Sequence, residues 1–123
     1  GFSLPAIVAS TAVLSRYGEL GPGSILMHHG FINAGARVGE NCILNTGCIV
    51  EHDAVVGDNC HISTGARING ECTVGEGCFV GSGAILRHGI KIAPDCIIGA
   101  GAVVVSDILE AGMYVGCPAK RIK

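Results

Sequence analysis

Residues 47–57 read GCIVEHDAVVG, and Glu51, His52 and Asp53 interrupt a run of aliphatics. An imidazole beside a carboxylate has the wiring of a general base: the carboxylate orients the ring and raises its basicity. A lone histidine on a solvated turn would do no such work, so the elements that carry these residues decide between the two. The other groups with chemical potential are His28, His29, His61 and His88, and seven cysteines at positions 42, 48, 60, 72, 78, 96 and 117. No two cysteines show C-x2-C or C-x4-C spacing, which removes the usual zinc patterns.

The first six cysteines differ by multiples of six, and that period runs through the chain. Stepping by six from Phe2 through Val8, Leu14 and Leu20 to Val104, every stop is a large apolar residue. Four residues after each stop comes a small one, such as Ala36, Cys42, Cys48, Ala54 or Cys60, with Ile90 the exception. Two inward residues two apart make a short strand followed by a turn. Six of the cysteines therefore read as small buried hydrophobes. The second place of the hexad is rich in Gly and Asn (Asn33, Gly39, Asn45, Gly57, Asn69). That composition predicts the positive φ of a tight corner at this place. Repeated hexads of this kind are the signature of a parallel β-helix. At three hexads per coil, six coils would build a triangular prism roughly 29 Å long.

The residue before each stop should point outward. Face A then carries Ile7, Ile25, Ile43, His61, Phe79 and Ile97. Face B carries Val13, Phe31, Ile49, Arg67, Ile85 and Val103. Face C carries Glu19, Arg37, Val55, Thr73 and Lys91. Two apolar outer faces that meet at one edge predict a homotrimer, face A of one chain against face B of the next. His28 and His29 fall on the A–B corner, where axial packing or an adventitious ion site is expected.

His52 is the third residue of its hexad, on the corner between faces B and C. Its neighbours 18 residues away are Ala34 and Gly70, both small, and His88 follows two coils on. The ring is therefore expected in a notch rather than in the core.

Composition sets the outer bounds. At 123 residues the chain makes one domain, and a formal charge of −2 gives no basic footprint for nucleic acid. No run of 18 apolar residues predicts a membrane span, and GFSLPAIVAS lacks the basic start of a secretory signal. Thiols kept unpaired point to the reducing cytoplasm.

The stretch from Asn45 to Leu86, with IIGAGAVVVSDI and YVGCPAKRIK after it, is similar to the C-terminal domain of NeuD/PglD-type sugar acetyltransferases. The motif E-H-[DE]-x-x-[IV]-G carries much of that likeness. The resemblance implies a left-handed β-helix over residues 1–109, with residues 110–123 as a tail packed on it. It implies transfer from acetyl-CoA, with no metal, to an amine or hydroxyl of a sugar, either a nucleotide-linked amino sugar or a sialic acid. It makes His52 the catalytic base and Asp53 its hydrogen-bonding partner. It places His61 and Gly70 at the coenzyme, with backbone contacts near Ser82 and Ala100. Lys120, in the closing G-x-P-A-K tail, would meet the coenzyme phosphates.

Such relatives usually carry an N-terminal βαβ domain. This chain shows no G-x-G-x-x-G strand–helix pattern, which reads as an isolated C-terminal domain or a shorter relative. Two rivals share the scaffold. A γ-carbonic-anhydrase-like metal enzyme would need three histidines, two of them in an H-x4-H pair that the sequence lacks. A catalytically idle trimeric scaffold would bind no coenzyme.

Overall fold

The computed structural model describes residues 4–123, so the first apolar stop, Phe2, lies outside the described residues. From Ile7–Val8 to Val103–Val104 the chain lays down a two-residue strand every six residues. Each pairs in parallel with the strand 18 positions away: Ile43 faces both Ile25 and His61, and Ile49 faces Phe31 and Arg67. Three sheets of eight, six and five strands result, one per face; up to Val104 they are parallel and have the memberships expected from the period. The architecture is a left-handed parallel β-helix of about six coils.

The large first-place residues fill the prism; Leu26, Ile32, Leu44, Ile62, Ile68 and Leu86 are wholly buried. The small fifth-place residues fit where the chain turns each corner, and Ala36, Cys42, Cys48, Ala54 and Ala66 are also wholly buried. Several thiols donate to carbonyls across the corner, Cys42 Sγ to Gly57 O at 3.1 Å and Cys72 Sγ to Arg87 O at 3.0 Å. Burial pushes the Cys48 thiol up to about 12, so the thiol form is strongly favoured there.

The corner geometry corrects one expectation. The left-handed residue is not the second of the hexad but the fourth: Gly35, Asp53, Glu71 and Gly89 on the B–C corner, Gly23, Asn41, Asn59, Gly77 and Asp95 on the C–A corner. Glycine at the second place answers a different demand. A Cβ on Gly57 would lie 2.7 Å from Glu76 N, and one on Gly81 2.6 Å from Ala100 N, so the next coil's backbone occupies that space. Asparagine at the second place caps the turn instead, as Asn33 Oδ1 accepts from Ala34 N–H at 2.7 Å and Asn45 Oδ1 from Thr46 N–H at 2.7 Å.

After the last regular coil, Ile108 bridges to Ile92. Met113–Val115 then extends face A in parallel on Ile97–Ile98, and Lys120–Arg121 folds back antiparallel on it. On face A, Ile43, Phe79 and Ile97 remain exposed, while on face B Phe31, Ile49, Ile85 and Val103 are half-buried. Among the described residues no helix is long and apolar enough to cross a membrane.

Candidate active site

His52 rides on a corner whose backbone is pinned from both sides. Asp53 N–H donates to Ala34 O in the coil before, at 3.1 Å, and His52 O accepts from Glu71 N–H in the coil after, at 3.0 Å. Only the side chains are free to do chemistry. Asp53 adopts φ 59°, which swings its carboxylate back along the corner. Its Oδ2 lies 3.2 Å from His52 Nδ1, and its Oδ1 occupies the space that a Cβ on Gly35 would take. Gly35 has φ +74° as well, so both conformation and room call for glycine there. With Nδ1 carrying its proton toward Asp53, the lone pair is on Nε2.

That Nε2 faces the notch at Gly70. A Cβ on Gly70 would overlap Nε2 and come within 2.6 Å of Cε1 and 2.9 Å of Cδ2. Gly70 N–H donates to no group among the described residues. Beyond the notch stands His88, its ring centroid 5.9 Å from that of His52 and tilted by 43°. His88 Nε2 lies 3.4 Å from Glu71 Oε2, so the corner carries two histidine–carboxylate pairs across one glycine. All four side chains are more than half exposed, and their value lies in placement rather than in stability.

The rings border a groove of about 390 Å³ along face B. Ile85, Val103 and Val105 make its apolar wall, and Glu51, Asn69 and Arg87 its polar side. Two of these polar groups are tied down: Glu51 Oε1 accepts from Asn33 Nδ2 at 3.0 Å, and Asn69 Nδ2 donates to Leu86 O at 2.8 Å.

The remaining expected site residues lie elsewhere on the chain. His61 stands in face A between Ile43 and Phe79, its ring edge-on to Phe79 at 5.1 Å. Its Nε2 is buried and has no partner among the described residues, a cost of about 1–3 kcal/mol unless another group supplies one. Ser82 is on the A–B corner, where its Oγ meets Ser63 Oγ at 3.0 Å and its carbonyl accepts from Gly101 N–H at 2.8 Å. Ala100 is one coil further along that corner. Lys120 lies in the exposed last strand of the face A sheet. Its neighbour Arg121 is committed to Glu110 Oε2 at 2.9 Å and to Ala111 O. Within one chain, then, His52, Asp53 and Gly70 come together, while His61, Ser82, Ala100 and Lys120 belong to face A and its ends. Among the described residues no cluster of three metal-ligating side chains occurs.

Sequence reasoning missed Gly35, Glu71 and the role of the groove. The signal was present in the 18-residue columns: Gly35, Asp53 and Glu71 form one, and His52, Gly70 and His88 the next.

Comparison with known proteins bears on this geometry. The bacterial transferase hexapeptide (six repeats) family matches residues 35–70 and 71–106. The acetyltransferase domain of PglB from Neisseria gonorrhoeae, also solved with acetyl coenzyme A, is 35% identical over 99% of this chain and 60% of its own, with a TM-score of 0.96. PerB from Caulobacter crescentus, solved with CoA and GDP-perosamine, is 39% identical over 100% of this chain and 59% of its own, with a TM-score of 0.97. WeeI from Acinetobacter baumannii is 25% identical over 96% of this chain and 55% of its own, with a TM-score of 0.82. The chain thus spans about three-fifths of the length of these structures. Among curated protein sequences, none matches the chain.

Proposed function

The chain belongs to the bacterial transferase hexapeptide family, and we propose that it moves the acetyl group of acetyl-CoA to an amine or hydroxyl of a sugar. The observation that carries this reading is the open Nε2 of His52, oriented by Asp53 and facing a groove over Gly70. The acetyl-CoA bound to the PglB domain, and the CoA and GDP-perosamine bound to PerB, support a thioester donor and a nucleotide-linked sugar acceptor.

His52 Nε2 removes a proton as the acceptor attacks the thioester carbon. Asp53 holds the ring and steadies the imidazolium. The Gly70 N–H, which has no partner among the described residues, would receive the developing oxyanion. The collapse expels the thiolate, which takes the proton back from His52. The cysteines of the prism face inward, so no covalent enzyme intermediate is formed on them.

The coenzyme would lie between chains. His61, Ser82 and Ala100 are remote from His52 in one chain, and a cyclic trimer that packs face A on face B can bring the two groups together. The exposed Ile43, Phe79 and Ile97 and the orphaned His61 Nε2 support such a partner surface. Lys120 is assigned to the coenzyme phosphates. The prism through residue 109 is the catalytic unit and residues 110–123 its cap. A cytoplasmic setting agrees with seven unpaired cysteines.

The test is calorimetric titration with acetyl-CoA, with His61→Ala beside the parent. One saturable site per chain, weakened about tenfold or more (~1.4 kcal/mol) by the substitution, is the expected result. A folded protein that binds no acetyl-CoA would return the chain to the scaffold reading.

A further inference from the structure

We propose that His88, paired with Glu71, is a second base of this site, and that the acceptor is therefore an amine bound as its ammonium. The inference rests on the acetyl-transfer reading above and deepens it.

Amine and hydroxyl acceptors differ in the protons they must lose. A sugar hydroxyl loses one proton when it is acetylated. An ammonium loses two: one to expose the nitrogen lone pair, and one as the C–N bond forms. The balance is R–NH3⁺ + CH3CO–S–CoA → R–NH–COCH3 + CoA–SH + H⁺. His52 accounts for one proton only, because it receives that proton from nitrogen and returns it to sulfur. The net proton needs a separate exit.

The corner supplies one. His88 shares the groove with His52 across the Gly70 notch, at a ring separation of 5.9 Å. Its Nε2 faces Glu71, which leaves Nδ1 to accept. The His52 ring takes the room that Gly70 leaves, and a nitrogen seated in the groove that both rings border would meet His52 and His88 together. The first proton passes from the ammonium to His88 Nδ1 and then to water, which its exposed ring can reach. The freed amine attacks the thioester carbon, and its remaining excess proton passes to His52 Nε2. The C–S electron pair departs on sulfur, which takes that proton.

Charge around the pair is consistent with this order. The anions Asp53, Glu71 and Glu51 and the cation Arg87 stand beside the two rings. Two imidazolium ions side by side would repel, so His88 discharges to water before His52 is protonated. A purely structural role predicts little, because an exposed ion pair such as Glu71–His88 contributes next to nothing to stability.

The test measures kcat/KM against pH with acetyl-CoA and nucleoside-diphosphate amino sugars, GDP-perosamine first. The ammonium pKa of each acceptor is titrated separately. The parent should stay active well below that pKa. His88→Asn should lose ~10²-fold there, the scale of one general base, and recover toward the parent as pH rises and free amine becomes available. His52→Asn should not recover. Glu71→Gln should show a smaller loss of the same shape. A parent profile that tracks the free-amine fraction, or a His88→Asn profile parallel to the parent at every pH, overturns the second base while leaving acetyl transfer intact. A parent inactive toward every amino sugar overturns the transfer reading and this inference with it.

Discussion

Asp58 and His52 hold the same place in their hexads, the third, on different corners of the prism. On the C–A corner Asp58 lies over Gly39 and its Oδ1 accepts from Glu40 N–H at 2.8 Å. Asn41 lies over Gly23 and Asp95 over Gly77 in the same manner. Each polar side chain there is pressed onto the previous coil, in room that a glycine leaves. On the B–C corner Asp53 lies over Gly35 likewise, but its second oxygen turns to His52, and the His52 ring extends over a glycine in the following coil. The device is common to both corners. What separates them is the chemistry of the atom left unspent: Asp58 turns Oδ1 onto the backbone of Glu40, whereas His52, oriented by Asp53, keeps an imidazole Nε2 with no partner among the described residues. A repeat scaffold thus becomes a site where one corner leaves a basic nitrogen, rather than a carboxylate oxygen, unspent.

The most direct way to break this comparison is to remove the unspent atom and its counterpart in turn. His52→Asn should lower kcat by about 10²–10⁴-fold with little change in melting temperature, since the ring is half exposed. Asp58→Asn keeps an oxygen for Glu40 N–H and should leave kcat unchanged. Steady-state rates and thermal melts of the two variants decide it. Equal rate losses at both corners would show that the contrast drawn from bond partners is wrong.

A second pair of substitutions separates support from chemistry. Gly35→Ala and Gly77→Ala meet the same two obstacles: φ of +74° and +70°, and overlap with a carboxylate oxygen of Asp53 or Asp95. Both should cost about 1–3 kcal/mol of stability for a strained left-handed residue. Only Gly35→Ala should also slow turnover, by roughly tenfold for ~1.4 kcal/mol of misplacement at Asp53. Denaturant melts and kcat, read together, sharpen the claim that Asp53 acts through its position.

The parts of this architecture legible in the sequence are those that repeat. The unbroken apolar stops placed every inward side chain, and the 18-residue spacing placed the face memberships and the column His52, Gly70, His88. The hexad place of the positive φ was misjudged because Gly and Asn stand at both the second and the fourth place, for different reasons. At Gly57 the demand is room for the backbone of Glu76; at Gly35 it is backbone conformation together with room for Asp53. Composition cannot tell these apart, since both select the absence of a Cβ. Glu71 escaped notice because its partner His88 lies 17 residues on, one off the column spacing, so the pair spans two adjacent columns. The relation of His61 to His52 depends on a second chain, and no spacing within one chain encodes it.

The interior behind both corners is built alike, and this sets the smallest expected effect. Burial pushes Cys48 up from 9.0 to about 12 and raises Cys72 as well. A thiol is neutral when protonated, so a raised folded-state pKa contributes fully below the unfolded value of 9.0, and its contribution is lost as pH climbs from there toward 12. Between pH 9 and 10 the unfolded chain ionises at Cys48 while the folded chain does not. Stability should fall by about 1.4 kcal/mol per pH unit once the titration is under way. Cys48→Ala removes that contribution and should flatten the alkaline slope, whatever the substitution costs at neutral pH. Since Cys48 lies beneath the A–B corner and away from His52, kcat at pH 7 should not change. Urea melts at pH 7, 9 and 10 measure the slope. An unaltered slope in Cys48→Ala would assign the alkaline loss to other buried thiols, Cys72 first among them.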